Sequence, residues 1–142
     1  MMERGRRIAF DYGDARIGVA VSDPDSILSS PHSTLKATDK NLFTSIVAIL
    51  QEIEPVQIFV GRPALLSGDS GSASEKAEEF AKKLTEITHV EIVMVDERMS
   101  TISAARSLRE AGRNAKDSKS SIDMAAAIAI LDFGIDLQKS KQ

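Results

Sequence analysis

The sequence predicts an α/β fold in a single domain, and three observations carry that reading. With 142 residues, the chain is long enough for one well-filled core and too short for two ordinary domains. Its opening segment alternates apolar and polar residues with a period of two. Further along, short apolar runs closed by Gly or Pro alternate with stretches of helical spacing, the order that lays helices on a sheet.

Each element has its own signal. In RIAFDYGDARIGVAVSD, Ile8, Phe10 and Tyr12 alternate with Arg7, Ala9 and Asp11, and Ile17, Val19 and Val21 alternate with Gly18, Ala20 and Ser22. Gly13-Asp14 between the two runs is a hairpin-type turn signal. Asp11 then shares its face with small residues across the hairpin, which leaves room above the carboxylate. After the loop PDSILSSP, the run HSTLKAT is predicted as a third, weaker strand.

Leu42, Phe43, Ile46, Val47, Ile49, Leu50 and Ile53 have helical spacing, and Pro55 stops the pattern. QIFVGRP reads as a short strand closed by Gly61 and Pro63. The loop ALLSGDSGS leads to a capping-box signature, Ser72-x-x-Glu75, ahead of Ala77, Phe80, Ala81, Leu84 and Ile87. VEIVMVDER is nearly continuous in apolar residues, which predicts a strand in the interior of the sheet. A helix is predicted from about Thr101 to Gly112, a natural residue just past a helix end. A basic loop follows. MAAAIAIL is apolar on every side, so the last helix is expected to pack on the sheet, and the tail from about residue 138 to fray. The predicted order is β-β-β-α-β-α-β-α-α, with no repeat and no low-complexity segment.

Composition excludes several classes. Hydrophobic residues are 42% and charged residues 27%, the proportions of a soluble globular domain, and no apolar run approaches the roughly 20 residues of a membrane helix. MMERGRRIAF has no apolar stretch of the secretory type before the first strand. The absence of cysteine removes disulfides, thiolate metal sites and cysteine nucleophiles, and suits a reducing cytoplasm. A formal charge of -3 argues against coating nucleic acid by bulk electrostatics, so any such contact must use a local patch.

Three acidic positions stand out: Asp11 inside the first strand, Asp96-Glu97 closing VEIVMV, and Asp123 just before MAAAIAIL. Burying a charge costs several kcal/mol unless it is paired, hydrogen-bonded or metal-bound. Clustered carboxylates repel one another unless a cation neutralises them, and oxygen-only ligation points to Mg²⁺ or Mn²⁺. Two such ions about 4 Å apart activate a water and stabilise the leaving oxygen in phosphodiester hydrolysis. Each acid also has a structural reading. Asp11 can accept N–H bonds from its turn, Asp96 or Glu97 can cap the following helix, and Ser120-x-x-Asp123 resembles a capping box.

For phosphate contact the best stretch holds Arg106, Arg109, Arg113, Lys116 and Lys119 against Glu110 and Asp117; a charge run of this kind can equally be a solvated face. GDSGS could present backbone N–H groups to an anion, or be a plain loop. Tyr12, His32 and His89 are isolated in the sequence and suggest neither a base-stacking platform nor an imidazole metal site.

DYGDARIGVAVSD, taken with VDERMST and SIDMAAAIAIL, resembles the YqgF family of pre-16S rRNA nucleases, also described as Holliday-junction-resolvase-like proteins. The match runs in order and at similar spacing across almost the whole chain, and includes VGRP and LSGDSGSASEKAEEFAKKL. It implies a ribonuclease H-like fold: a mixed five-stranded sheet, made of a three-stranded antiparallel meander and two parallel strands, with helices on both faces. It implies that Asp11, Glu97 and Asp123 are the metal-binding catalytic carboxylates, holding Mg²⁺ or Mn²⁺, two ions with substrate bound. Gly13, Arg16 and Gly18 complete the first motif, Asp96, Arg98 and Thr101 the second, and Gly61 lies in VGRP. Arg16 and Arg98 join the basic stretch as nucleic-acid contacts. Resemblance, not alternation, selects Glu97 over Asp96, since successive strand residues only face opposite ways. Arg62 stands where many relatives have an apolar residue, and a solvated arginine is its plain reading.

The expected function is a metal-dependent nuclease on structured RNA, in the 5′-end processing of pre-16S rRNA in the cytoplasm. The protein is expected as a monomer or weak homodimer with ribosome association as a further expectation. The alternatives are a four-way DNA junction resolvase and a non-catalytic factor that binds nucleic acid or a ribosome- or transcription-associated partner. A sugar-kinase-like phosphotransferase, whose phosphate-binding hairpin DYGDARIG also resembles, needs two lobes where this chain supplies one.

Overall fold

The structure, a computed structural model, describes residues 3–13, 15–62, 72–96 and 124–140, with side chains of the third segment from Glu75 onward. Strands β1 (Arg7–Tyr12) and β2 (Arg16–Ser22) form the expected hairpin, antiparallel, with Ile8 opposite Val21 and Asp11 opposite Gly18. Gly13 makes the turn. Its N–H donates to the Arg16 carbonyl at 3.0 Å, and a Cβ here would stand 2.8 Å from that oxygen, an approach only glycine permits.

β3 (Ser29–Lys36) pairs antiparallel with β2. It starts earlier than the predicted HSTLKAT and takes in Pro31, which the sequence reading leaves in the loop. β3 is an edge strand, where proline's missing N–H costs no ladder bond if it faces outward, and the register shifts at Val19/Ala20 beside it.

Helix α1 (Leu42–Ile53) buries Leu42, Ile46, Ile49 and Ile53, as their spacing predicts. Glu54 takes a left-handed conformation and donates its N–H to the Leu50 carbonyl at 2.9 Å, ending the helix ahead of Pro55. β4 (Gln57–Arg62) pairs parallel with β1, and β5 (Glu91–Asp96) parallel with β4. Between them lies helix α2 (Ser72–Ile87), and the last described helix is α3 (Ala125–Ser140). The sheet order is β3-β2-β1-β4-β5, the mixed five-stranded arrangement expected. The helix predicted near Thr101–Gly112 and the Ser120 cap lie outside the described residues.

One placement differs from expectation. β5 is an edge strand of this sheet, not an interior one. Its apolar run reports two covered faces instead: Ile92 and Met94 pack into the core beneath α1 and α2, while Val93 and Val95 pack with α3.

The same division runs through the whole sheet. Ile8, Phe10, Ile58 and Val60 meet α1 and α2 on one side, and Ala9, Ala20 and Phe59 meet Ala127, Ile130 and Leu131 of α3 on the other. α3 sits close because Gly134 lies on the Phe59 ring; a Cβ there would come within 2.6 Å of it. The tail expected to fray is helical as far as Ser140, and Lys139 Nζ donates to the Ser26 carbonyl at 3.2 Å. No helix among the described residues is long and apolar enough to cross a membrane.

Candidate active site

By strand alternation Arg7, Ala9 and Asp11 share the α3 face of β1. Asp11 has no solvent exposure. Directly across the hairpin stands Gly18, and on the other flank Gly61 follows Val60, the residue paired with Phe10. Both glycines are buried, and both share Asp11's face. Asp11 therefore has a glycine beside it on each of the two neighbouring strands, as the small residues across the hairpin led the sequence to predict for one of them.

The second acidic position divides by the same rule. In β5, Val93 and Val95 belong to the α3 face, whereas Ile92 and Met94 belong to the other. Asp96 follows Met94 in alternation and so lies on the face opposite Asp11. Its register partner Arg62 shares that far face, where Arg62 Nη2 stands 3.0 Å from Glu78 Oε1 of α2. Arg62 is thus exposed, as the plain reading of a solvated arginine expects, and makes a surface ion pair away from Asp11.

The direction of α3 follows from its contacts. Lys139 reaches Ser26, and Asp132 accepts a hydrogen bond from Ser29. Ser26 and Ser22, the partner of Ser29 in the β2–β3 ladder, both bond Arg7 at the beginning of β1. The helix therefore starts, at Met124–Ala125, toward the Asp11 end of the sheet. Arg16 lies exposed at the start of β2, at that same end. Glu97, Arg98, Thr101, Arg106, Arg109, Arg113, Lys116, Lys119 and Asp123 lie outside the described residues.

At the other end of β1, Arg7 was not singled out by its sequence context, yet it is 3% exposed. Its guanidinium donates to Gln57 Oε1 at 2.9 Å, Ser26 Oγ at 3.0 Å and the Glu3 carbonyl at 2.9 Å. Burial lowers its pKa below the ordinary arginine value, opposed by the Glu3 and Glu91 carboxylates. Sequence reasoning also treats Tyr12 as isolated, whereas its ring centroid lies 5.1 Å from that of Phe80, which meets Phe10 and Phe43 as well.

The sequence model of the RuvX family, described as a Holliday junction resolvase, matches residues 5–136. The chain belongs to the RuvX family. Similar proteins include the "Putative pre-16S rRNA nuclease" of Rhodococcus erythropolis, 43% identical over 139 residues and covering 94% of this chain and 78% of that protein. The protein of the same name from Streptomyces coelicolor is 41% identical over 140 residues, covering 97% and 84%. These matches agree with the resemblance drawn from DYGDARIGVAVSD, VDERMST and SIDMAAAIAIL. Among solved structures, Thermus thermophilus RuvC in complex with Holliday junction substrate matches with a TM-score of 0.63 at 12% identity, covering 95% of this chain and 96% of that one. The RuvX chain thus has the RuvC-like, ribonuclease H-like fold expected.

Among the described residues no three His, Cys, Asp or Glu side chains gather as a metal site; of the three expected ligands only Asp11 is described. As a buried oxygen donor with glycine on both sides, Asp11 is chemically suited to a hard divalent cation.

Proposed function

We propose that the protein is a metal-dependent nuclease that hydrolyses phosphodiester bonds in structured RNA, with the 5′ end of pre-16S rRNA as its substrate. Asp11 carries the reading: a fully buried carboxylate on a central strand, bordered by glycines, in a chain of the RuvX family. Glu97 and Asp123 complete the ligand set in this proposal. Glu97 is favoured over Asp96 because alternation in β5 turns Asp96 away from Asp11's face. Asp123 is favoured because the helix it precedes starts toward the Asp11 end.

Three carboxylates without nitrogen or sulfur ligands suit Mg²⁺ or Mn²⁺. A pair of such ions would supply an activated water and charge stabilisation at the leaving oxygen. The residues of the chain do the positioning: the carboxylates fix the cations, while Arg16, Arg98 and the basic side chains from Arg106 to Lys119 hold the substrate phosphates. The reaction would take place in the cytoplasm, in contact with ribosome precursors, with the protein a monomer or weak homodimer.

The family's description as a Holliday junction resolvase favours a second substrate, a four-way DNA junction. Both substrates belong in one assay, each with Mg²⁺, Mn²⁺ or EDTA. Cleavage of an RNA carrying the pre-16S 5′ leader, abolished by EDTA, is the expected result. Cutting of the junction alone would transfer the activity to DNA, and binding without cutting of either would make the protein a non-catalytic factor.

A further inference from the structure

On the face of the sheet opposite Asp11, the end of β1, the N-terminal turn of α1 and the first half of α2 enclose a cavity of about 180 Å³. Its apolar wall is mostly aromatic, with Ala37 and Leu42 beside the rings. Tyr12 and Phe43 are half-buried and stand against Phe80, their ring centroids 5.1 and 6.0 Å from its own. Phe80 is 3% exposed and also meets Phe10 edge-on at 5.6 Å. Four aromatic side chains thus gather at one place in a chain with five phenylalanines, one tyrosine and no tryptophan. Exposed lysines, Lys40, Lys76 and Lys83, line the same cavity, and Lys83 Nζ stands 5.8 Å from the centre of the Phe43 ring. They outnumber the cavity's two carboxylates, Asp39 and Glu79.

A core needs its aromatics packed, and Phe10 and Phe80 meet that need. It does not need Tyr12 and Phe43 left half-open beside three lysines. Rings with accessible faces stack on bases, and lysine ammonium groups pair with phosphates. The volume selects further: pockets for drug-sized ligands run to about 300–1,000 Å³, so this one suits a single ring system. Tyr12 also follows Asp11 directly, so the pocket opens at the same end of β1 as the proposed cutting site but on the other side of the sheet.

We propose that this pocket holds one unstacked base of the RNA substrate, a nucleotide near the scissile phosphate, with the lysines on its flanking phosphates. The proposal rests on the nuclease reading for the identity of the strand, but its test does not depend on cleavage. Because the chain has one tyrosine, its ring proton resonances report on the pocket without ambiguity.

The probe is a short single-stranded oligoribonucleotide of mixed sequence. Controls are the same oligonucleotide carrying an abasic site at each position in turn, and inorganic phosphate. The oligonucleotide should shift the Tyr12 resonances saturably, phosphate should not, and one abasic position should remove the shift. Phe43→Leu should weaken binding by roughly 5- to 100-fold, the loss of one base–aromatic stack. Lys83→Ala, on an exposed side chain that leaves the fold intact, should weaken it less and reduce the salt slope by about 1. Unmoved Tyr12 resonances, equal shifts from intact and every abasic probe, or unchanged binding in both variants would overturn the pocket. If the RNA is cut while Tyr12 stays unmoved, the pocket fails and the nuclease stands; the reverse result overturns the nuclease alone.

Discussion

β1 buries a charged residue near each end on the same face, and the neighbouring strands surround the two with different residues. Around Arg7 the chain brings polar partners from three directions: Gln57 from β4, Ser26 from the β2–β3 loop and the Glu3 carbonyl from the N-terminal segment. Gln57 is fixed in turn by donating through Nε2 to Glu91 Oε1 of β5. Around Asp11 the adjacent strands bring Gly18 and Gly61. One end is closed over its charge by hydrogen bonds. The other has glycine on both neighbouring strands. If Arg7 is a structural charge and Asp11, as proposed, a chemical one, that separation of roles should make the two ends respond differently.

Substitution at each end tests that separation, and the largest effect is expected at Asp11. Asp11→Asn keeps the shape and removes the charge. Second-shell groups of metal sites already cost 10- to 100-fold when lost, so losing a ligand should lower cleavage by at least about a hundredfold, while the apo protein melts at the same temperature or higher. Arg7→Met should do the reverse. Its buried acceptors would lose a charged donor, worth about 1.5–3 kcal/mol for such a hydrogen bond, so thermal stability should drop by several degrees while cleavage well below the melting temperature persists. Rate and melting curves on both variants give the answer. If Asp11→Asn destabilises and still cuts, the comparison collapses and Asp11 is a turn-capping residue.

A smaller effect is expected from Gly18→Ala. Glycine inside a strand costs roughly 0.5–1 kcal/mol against alanine, so the substitution should leave stability unchanged or slightly raised. The new methyl stands directly across from Asp11 and narrows the space beside its carboxylate. Cleavage should fall by about tenfold, read at saturating Mg²⁺. Undiminished cleavage would mean that the glycines serve close backbone packing and not the site.

The two ends also differ in how well a sequence announces them. Asp11 is legible because an acid interrupts a two-residue apolar period, a local signal. Arg7 belongs to a basic run, MMERGRR, and looks solvated; its partners Ser26 and Gln57 stand 19 and 50 residues away. The hairpin, α1, β4 and the packing of α3 were legible for the same local reason as Asp11. The edge position of β5 was not, since an apolar strand reports that both faces are covered and says nothing of its neighbours in the sheet. Nor was the aromatic pocket: Tyr12, Phe43 and Phe80 are scattered in sequence and meet only when α1 and α2 settle on β1. Of the proposed ligands, Asp11 was legible from the pattern; Glu97 was taken over Asp96 from the resemblance, and the two cores add only that Asp96 lies on the face of β5 opposite Asp11.

The smallest effect belongs to the loop that closes the Arg7 end. Asp23 accepts backbone N–H bonds from Leu28, Ile27 and Asp25, with Oδ1 at 2.8 Å from Leu28 N and 2.7 Å from Ile27 N. The Leu28 bond, with help from Ile27 and Asp25 and against some desolvation, lowers the Asp23 pKa below its ordinary 3.8. A carboxylate whose folded pKa is depressed adds stability above its unfolded pKa and loses it as pH falls through the folded value. The loop's contribution should therefore be constant near neutral pH and fade only as pH falls below the ordinary aspartate value of 3.8. Asp23→Asn should retain the turn, because an amide oxygen also accepts hydrogen bonds, and should flatten the fall in melting temperature between pH 5 and pH 3. That flattening should be accompanied by normal cleavage at pH 7, because Ser26 and Arg7 hold this end of β1 away from the proposed chemistry. If Asp23→Asn instead lowers cleavage at neutral pH without changing the acid limb of the melting profile, the Arg7 end would be coupled to the site, and the division between the two ends would have to be abandoned.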